Sequence, residues 1–284
     1  MIENTSLYNR AKDQLPQPLR NRLRATARFM IDLYAGMRGL NPNCASPDFL
    51  IVGAQKAGTT SLFNWLVDSG SVQPPIVKEV GYFDARWNWP IKYRGYFNPK
   101  KPGRLVGEAT PSYFAFPEVP ERVIEKIGAK CKIVIVLRDP VGRSVSHYFH
   151  ERRLGFEKRD MYTAMTEEEN LINEALDSKT STSRREYILT HFSYAYRSCY
   201  SERLKPWLEQ FDKNNLLIVK SEDMFADPGQ TVESVANFLD MKVNTSTHYK
   251  ARNKNSYVFE DSRVAKFLEN RLSDETRLFD NWNY

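Results

Sequence analysis

The stretch from Phe49 to Leu66, FLIVGAQKAGTTSLFNWL, combines residue types that bind phosphate groups. An apolar run leads into Gly53, and Gly58 stands directly before the hydroxyl residues at 59–61. The glycines let the chain turn so that backbone amides face inward, and a helix beginning near Thr59 points its positive end at the same place. A tight turn without a ligand is the alternative, but the apolar strand before and the helix after favour a phosphate loop.

The position of Lys56 distinguishes this loop from an ATP-binding loop. In an ATP-binding loop the lysine directly follows the second glycine, and the next hydroxyl holds magnesium. Here Thr59 follows Gly58, and the lysine comes three residues before Thr59. This order moves the lysine charge from the helix start into the middle of the loop and leaves nothing obvious to hold the metal, so we expect a phosphate donor that needs no magnesium. A P-loop kinase or nucleotide hydrolase using ATP and magnesium is the alternative.

Two other places carry residues suited to chemistry. Lys78 and Glu79 pair a cation with a carboxylate that could accept a proton. Such a pair is most often a solvated surface couple, although its position between PPIV and GYFD favours a cleft. Arg138 ends the apolar run KIVIVL, and the segment LRDP is equally consistent with an ion pair that caps a helix.

The elements that must position these residues alternate between short apolar runs and helical patterns. The runs are DFLIVGA, RLVGEA, KIVIVLRD and NLLIVKSED, and each precedes a helical segment. This pattern predicts an α/β fold: a single P-loop-type domain with a central parallel sheet flanked by helices. Ligands of such sheets bind beyond the carboxyl ends of the strands. The residues expected there lie at 53–61, 108–112, 138–146 and 220–223.

Two segments stand apart from this pattern. Residues 1–46 form a basic extension with an amphipathic helical pattern and a linker. We expect its helix to pack on the main domain at 47–284, with a membrane-surface or partner-binding arm as the alternative. The polar segment 154–190 is predicted to be an irregular lid or substrate loop, and a solvated helical excursion is equally compatible with its composition.

Composition bounds the class of protein. A chain of 284 residues with 41% hydrophobic and 27% charged residues is typical of an ordinary folded protein. Its net charge of +6 suits an anionic ligand but also nucleic acid or a membrane surface, so a nucleic-acid-binding module is a further alternative. Three scattered cysteines fit no metal or disulfide pattern. Without an apolar run long enough to span a membrane or a signal-peptide core, we expect a cytoplasmic protein.

Four ordered motifs, QKAGTTSL, KEVGYFD, GEATPSYF and VLRDPVGRSVSHY, together resemble the sulfotransferases that use 3′-phosphoadenosine 5′-phosphosulfate (PAPS). The heparan-sulfate type and its bacterial relatives are the most similar branch. The segments YRSCYSERLKPWLEQF and NLLIVKSEDMFADPGQTVESVANFLDM continue the similarity, which thus covers nearly all of the chain from Asp48 onward. This resemblance implies PAPS as co-substrate, adenosine 3′,5′-bisphosphate (PAP) as product, and no metal.

The resemblance also implies roles for individual residues in binding the donor. Lys56 would contact the 5′-phosphate and the bridging oxygen, and Arg138 and Ser146 would bind the 3′-phosphate. The rest of the 5′-phosphate would be held by the loop residues Ala57, Gly58, Thr59, Thr60 and Ser61. A basic loop closing over the 3′-phosphate end would include Arg252, Lys254, Asn255 and Ser256, each of which could equally belong to a solvated loop.

For catalysis, the resemblance places Glu79 as the general base, with Lys78 near the transferring sulfonate. We expect an in-line displacement in which Glu79 takes the acceptor's proton while Lys56 and Lys78 stabilise the departing bridging oxygen. A sulfonate carries less charge than a γ-phosphoryl group, so a divalent metal is less needed. Another sulfotransferase branch uses histidine as the base, and the rival candidates here are His147, His150, His191 and His248.

Two positions at which this sequence departs from the family pattern limit the kinds of acceptor that we expect. The glucosamine-modifying relatives often carry histidine where this chain has Gly81 and lysine where it has Ala109. We therefore expect a small acceptor with a hydroxyl or amine, as in natural-product tailoring, rather than a heparan-like polyanion or a nucleic acid. The lack of a luminal anchor agrees with a bacterial source. Oligomeric state is left open. The aromatic residues of GYFDARWNWPIKYRGYF are interpreted either as an acceptor wall or as a surface meander.

Overall fold

The fold is built on a central parallel sheet, as the sequence predicts, and the sheet has five strands. The computed structural model describes residues 17–84, 92–243, 249 and 261–282. The strands run in the spatial order β2-β3-β1-β4-β5, and every pairing is parallel. Their bounds are β1 Phe49–Gly53, β2 Val72–Gln73, β3 Leu105–Ala109, β4 Lys132–Leu137 and β5 Leu216–Lys220.

The central strands are buried on both faces, which explains their continuous apolar composition. Every residue of β1 is buried, and β4 is buried from Ile133 to Leu137. The register aligns Phe49 of β1 with Gly107 of β3 on one side and with Lys132 of β4 on the other. A side chain at Gly107 would overlap the Phe49 ring, because its Cβ would lie 2.3 Å from that ring. The sheet therefore forms the centre of the main apolar core.

Helices flank this sheet, and those predicted to follow the four apolar runs are confirmed. The described helices are α1 Gln17–Arg38, α2 Thr59–Asp68, α3 Lys92–Gly95, α4 Val119–Lys126, α5 Pro140–Leu154, α6 Met161–Thr166, α7 Glu168–Leu176, α8 Thr182–His191, α9 Tyr200–Gln210, α10 Ser221–Ala226, α11 Pro228–Phe238, α12 Ser262–Arg271 and α13 Ser273–Asp280. Short 3₁₀ turns occupy Tyr113–Ala115, Tyr196–Ser198 and Lys213–Asn215. The main core includes Trp65 of α2, Trp207 of α9 and Val232 of α11.

A smaller apolar cluster lies outside the main core. It joins Val145 and Tyr148 of α5 to Met165 of α6 and Leu268 of α12. This cluster fixes the helix that follows β4, and hence the residues that α5 presents near the end of the sheet.

Helix α1 packs on the main domain through one face. Ala35 is fully buried, and the Tyr96 hydroxyl donates a hydrogen bond to Asp32 at 2.5 Å. Arg38 bonds the Phe97 carbonyl at 3.2 Å. This is the packed arrangement expected for the extension. Ile31 is partly buried against the main core, whereas the following apolar side chains of the helix and its end are exposed: Leu19, Leu23, Phe29, Met30, Leu33, Tyr34, Met37 and Leu40.

The polar segment 154–190 is helical rather than irregular. It contains α6, α7 and most of α8, so the structure agrees with the helical alternative and corrects the expectation of an irregular loop. The segment is not merely solvated, since Ile172 and Ile188 are buried against the main core. Its apolar residues are too sparse among charged neighbours to be conspicuous in the sequence. A role as a lid or substrate loop stays a prediction.

Candidate active site

The predicted phosphate loop lies between β1 and α2. It crosses from the carboxyl end of the central strand to a helix that begins at Thr59. Gly58 has φ 98°, in the left-handed region that favours glycine. A Cβ there would also lie 2.6 Å from Met224 Cε, which is the movable end of a side chain, so the requirement for glycine comes mainly from the conformation. The positive end of α2 therefore begins at the loop, an arrangement that suits an anion, although the Ser61 N–H already donates to the Gly58 carbonyl at 2.8 Å.

Lys56 stands in the middle of this loop with an unusual backbone conformation. Its φ is 74°, a left-handed value that a non-glycine residue adopts only when the surrounding structure holds it. Burial lowers the pKa of its ammonium to about 8, and the positive charges of Arg153 and Arg138 act in the same direction. Glu151 partly opposes this effect. Lys56 thus sits in a desolvated, positively charged environment, which would favour an arriving anion.

The end of β4 approaches the loop directly. Arg138 follows the last residue of β4, and its Nη1 donates to the Lys56 carbonyl at 3.3 Å. Ser146 lies eight residues further on, buried in α5. The loop and the proposed second phosphate site therefore meet at the same edge of the sheet. Asp139 caps α5 by accepting from the Gly142 amide at 2.5 Å, so the capping interpretation of LRDP holds for this aspartate.

The loop hydroxyls differ in exposure. Thr59 and Ser61 are buried, whereas Thr60 is partly exposed. Ala57 is fully buried and fixes the loop against the core. A ligand can therefore reach this helix end most directly through Thr60 and the loop backbone.

Lys78 and Glu79 form the exposed pair that the sequence allows as an alternative. Their charged groups are 3.4 Å apart, and about half of each side chain is exposed, at 52% and 51%. Arg28 of α1 holds the backbone here, donating to the Glu79 carbonyl at 2.7 Å and also to the Val80 carbonyl. The carboxylate is thus accessible while its backbone is fixed.

The segment after Glu79 is tied to the end of β3. The Gly81 amide donates to Thr110 Oγ1 at 3.3 Å, and the Tyr82 amide donates to the Tyr113 hydroxyl at 2.8 Å. Both acceptor residues bond the buried Glu108 carboxyl, at 2.7 Å and 2.6 Å. These contacts place the segment at the same edge of the sheet as the phosphate loop.

The Glu108 carboxyl is enclosed and hydrogen-bonded inside the protein, as in a residue that stabilises the fold. Its carboxyl is fully buried and also accepts from the Tyr93 hydroxyl at 2.7 Å. Burial raises its pKa, against the effect of hydrogen bonds from Tyr113, Tyr93 and Thr110. Tyr93 and Tyr96 are themselves almost fully buried, so neither forms the exposed acceptor wall considered from the sequence. The tryptophans of that aromatic segment, Trp87 and Trp89, lie outside the described residues.

Sequence reasoning missed a cluster of charged residues beside the loop, in which Arg143 and Arg197 are buried and Asp84 is partly exposed. Asp84 accepts a hydrogen bond from Ser112, and burial raises the pKa of its carboxyl. Arg143 of α5 is fully buried, with Nε on Ser198 Oγ and Nη2 on the Tyr194 carbonyl. Arg197, in the 3₁₀ turn before α9, donates to Gln55 Oε1 at 2.7 Å. Their residue types carry no spacing pattern, and only the fold brings them together.

Glu151 connects α5 to α8. It accepts a hydrogen bond from His191 Nδ1 at 2.7 Å and lies 3.4 Å from His147 Nε2, while only 2% of its side chain is exposed. Although burial opposes it, hydrogen bonding to the two histidines lowers the pKa of Glu151 to about 2. Burial lowers the pKa of His147 to about 3, so this ring is neutral at pH 7 and enclosed. His147 is therefore enclosed by packing and is not open to an acceptor.

Several predicted site residues cannot be placed. Arg252, Lys254, Asn255 and Ser256 lie outside the described residues, as does His248. Within the described ranges, no group of three or more histidine, cysteine, aspartate or glutamate side chains could hold a metal ion. Metal independence stays a prediction.

The comparisons with known proteins agree with this geometry. The family profile described as "Sulfotransferase domain" matches residues 46–277, most of the chain. The chain belongs to the sulfotransferase family. Its fold is shared with a solved sulfotransferase from Alicyclobacillus acidocaldarius, at a TM-score of 0.63 and 24% identity, covering 84% of this chain and 98% of that one.

Curated relatives of this sulfotransferase-family chain are larger proteins. The mouse heparan sulfate glucosamine 3-O-sulfotransferase 3B1 is 28% identical over 207 residues, covering 72% of this chain and 48% of the relative. The human 3B1 protein is 29% identical over 205 residues, with the same two coverages. The chain thus spans about half the length of these relatives. No described helix has the length and apolar character to cross a bilayer.

Proposed function

We propose that this chain transfers a sulfonate from PAPS to a hydroxyl or amine of a small acceptor, releasing PAP. The observation that carries the proposal is the contact between Arg138 and the Lys56 carbonyl at 3.3 Å. This contact joins a glycine-rich anion loop with an interior lysine to the arginine at the end of the next strand. Together with membership of the sulfotransferase family, it supports a nucleotide with phosphates on both sides of its ribose.

In the proposed complex, the phosphates bind at two ends of one cleft. The loop backbone and the hydroxyl residues Thr59, Thr60 and Ser61 take the 5′-phosphate, because the positive end of α2 begins at this loop. Arg138 and Ser146 take the 3′-phosphate. Arg252, Lys254, Asn255 and Ser256 stay predicted as the loop over that phosphate.

The proposed reaction is an in-line displacement at sulfur. The acceptor oxygen or nitrogen forms a bond to sulfur while the bond from sulfur to the bridging oxygen breaks, and that oxygen stays on the 5′-phosphate of PAP. Glu79 takes the acceptor's proton, for which its exposed carboxylate is accessible. Lys56 and Lys78 stabilise the negative charge that develops on the bridging oxygen.

The acceptor is proposed to be small, as in natural-product tailoring. The names of the two 3B1 relatives give the glucosamine of heparan sulfate as their acceptor. Gly81 and Ala109 supply no cationic side chain at the positions where such relatives often carry one. Lys78, the exposed cation next to Glu79 in the sequence, is already paired with the Glu79 carboxylate.

A thermal-shift experiment separates this proposal from the kinase or nucleotide-hydrolase alternative. The purified chain is heated in buffer alone, with PAP plus a chelator, and with ATP plus magnesium. A ligand at about 100 times its Kd adds roughly 2.7 kcal/mol of stability, which raises the melting temperature by several degrees. We expect this shift with PAP in the chelator.

The opposite pattern would contradict the proposal. Stabilisation by ATP only with magnesium, without an effect of PAP, would favour a kinase or hydrolase. A nucleic-acid module without catalysis would show neither nucleotide effect. A cytoplasmic location and a bacterial source stay predictions that the geometry does not address.

A further inference from the structure

Arg197 differs from the other described arginines because both nitrogen atoms on one side of its guanidinium are buried without a hydrogen-bond partner. Only 4% of the residue is exposed, and Nη1 is occupied by Gln55 Oε1 at 2.7 Å. Its Nε and Nη2 atoms are buried and have no hydrogen-bond partner in the structure. Unpartnered buried donors are costly, and a buried cation without an anion is more so.

The two unpartnered atoms form one side of the guanidinium, with parallel N–H groups. That side matches two oxygen atoms of a carboxylate, phosphate or sulfonate. Elsewhere in this chain the same side holds a carboxylate. Nε and Nη2 bond both oxygens of the partner in Arg159 with Glu157 (3.1 and 2.6 Å), Arg184 with Glu174 (2.8 and 3.2 Å) and Arg263 with Asp261 (3.1 and 2.9 Å).

The charged residues around Arg197 do not neutralise its guanidinium. Asp84 and Glu151 influence Arg197 electrostatically, but no described carboxylate lies within ion-pair distance of it. Arg143 and Arg203 add positive charge to the same surroundings. Burial, followed by Arg143, lowers the pKa of Arg197 to about 10, so the side chain is still charged at pH 7. An oxyanion arriving here would gain both hydrogen bonds and charge compensation.

The position of Arg197 identifies which oxyanion. Gln55 directly precedes Lys56 in the phosphate loop, so the guanidinium contacts the side chain of the residue next to the lysine. Its enclosure excludes a bulky acceptor and suits a small terminal group. We propose that the Nε and Nη2 edge of Arg197 binds the sulfonate end of the donor's phosphosulfate. This assignment deepens the proposed function and rests on it.

The test measures binding of PAPS and of PAP by titration calorimetry, without an acceptor. We expect Arg197→Gln to weaken PAPS binding at least tenfold while PAP binding changes less than threefold. Arg197→Lys should fall between, because lysine keeps the charge but lacks the paired donors. The matched control is Arg184→Gln, which breaks an exposed pair with Glu174 and should leave both affinities unchanged.

The other possible binding results would each overturn a stated part of the proposal. Equal losses for PAPS and PAP would move the contact to the 5′-phosphate and overturn the sulfonate assignment. PAPS affinity within twofold of wild type in Arg197→Gln would overturn any donor contact. If that variant does not fold, as judged by its melt without ligand, Arg197→Lys carries the same comparison. A wild-type chain that binds neither compound would instead overturn the proposed function.

Discussion

At the scale of single residues, Lys56 combines two properties that are costly in isolation. Its backbone is held in a left-handed conformation, and its ammonium is partly withdrawn from water. Both costs fall on the residue proposed to meet the leaving oxygen. Such a residue gains most when an anion arrives, because the bound phosphate restores the charge interactions that burial removed.

Replacing Lys56 tests its proposed role in catalysis. Lys56→Ala should lower turnover by about 10²–10³-fold, since the charge on the bridging oxygen loses its nearest cation. The measurement is release of PAP from PAPS with an acceptor that supports wild-type turnover. A near-normal rate would count against the assignment. Arg22→Ala, at an exposed position of α1, is the control and should leave the rate unchanged.

The lowered pKa of Lys56 gives a prediction about pH. Above about pH 8 the free lysine loses its proton, so PAP affinity should fall by up to about tenfold per pH unit. Ligand-free stability should show the opposite trend. The folded pKa lies below the unfolded value of 10.5, so the unfolded chain binds more protons between these values, and this lysine's contribution to stability increases as pH rises through that window.

Calorimetry across pH 7 to 9.5 measures this decline in PAP affinity. Lys56→Arg should bind PAP without the decline near pH 8, because arginine stays protonated throughout. If the variant shows the same decline as wild type, another group is responsible for it.

At the scale of elements, α1 and α3 approach so closely that one position excludes a side chain. A Cβ on Gly95 would lie 1.7 Å from the Ala35 carbonyl oxygen and 2.7 Å from the Gly39 amide nitrogen. Both obstacles are backbone atoms and cannot rotate away. The same helix holds the Glu79 and Val80 carbonyls through Arg28. The fit of these two helices thus bears on the candidate active site.

Gly95→Ala should therefore push α1 away from the domain. We expect a loss of about 1–3 kcal/mol, as in overpacked cores, and a melting temperature lower by several degrees. Gly229→Ala in α11 is the matched control, since its Cβ would lie 3.4 Å from Asp227 Oδ1 and the helix tolerates alanine. Equal melting temperatures for wild type and Gly95→Ala would show that α1 does not dock as described.

The elements also show which parts of the fold the sequence can predict. Four strands were predictable because each is a short, mostly apolar run that precedes a helical pattern, and β1 and β4 are apolar and buried almost throughout. The two-residue strand β2 was not, because Val72 and Gln73 are too few to show a period. The helices at 154–190 were ambiguous because their buried residues are separated by charges.

The same limit applies to the candidate site. Lys56, Gly58 and Arg138 were found because their positions follow from strand ends and glycine spacing. Arg197 was not, because its partner Gln55 is 142 residues away in the sequence. A single arginine in YRSCY has no local signature, and its unpartnered donors exist only in three dimensions.

At the scale of the whole molecule, the net charge of +6 should affect donor binding. Phosphates approach a cleft in which Lys56, Arg138 and Arg153 lie near one another. The Debye length falls from about 10 Å at 0.1 M salt to about 3 Å at 1 M, so salt screens this attraction. PAP affinity should weaken several-fold between 0.05 and 0.5 M NaCl, as measured by calorimetry.

A variant separates this general attraction from a specific contact. Arg138→Gln should weaken PAP binding at low salt and make its dependence on salt shallower, because one fewer cation takes part. An unchanged affinity in this variant would contradict the second phosphate site. Arg184→Gln again supplies a charge-matched control far from the loop in the sequence.

The Arg138 contact with the Lys56 carbonyl also links the two proposed phosphate sites to each other. A ligand that fixes this guanidinium also steadies the loop backbone, so occupying one phosphate site lowers the entropy still to be lost at the other. The binding free energies of 3′-AMP and 5′-AMP can be added and the contribution of the shared adenosine subtracted once. PAP should consequently bind more tightly than this sum predicts. The chain would then reject common mononucleotides by cooperativity within a single ligand, without a steric gate.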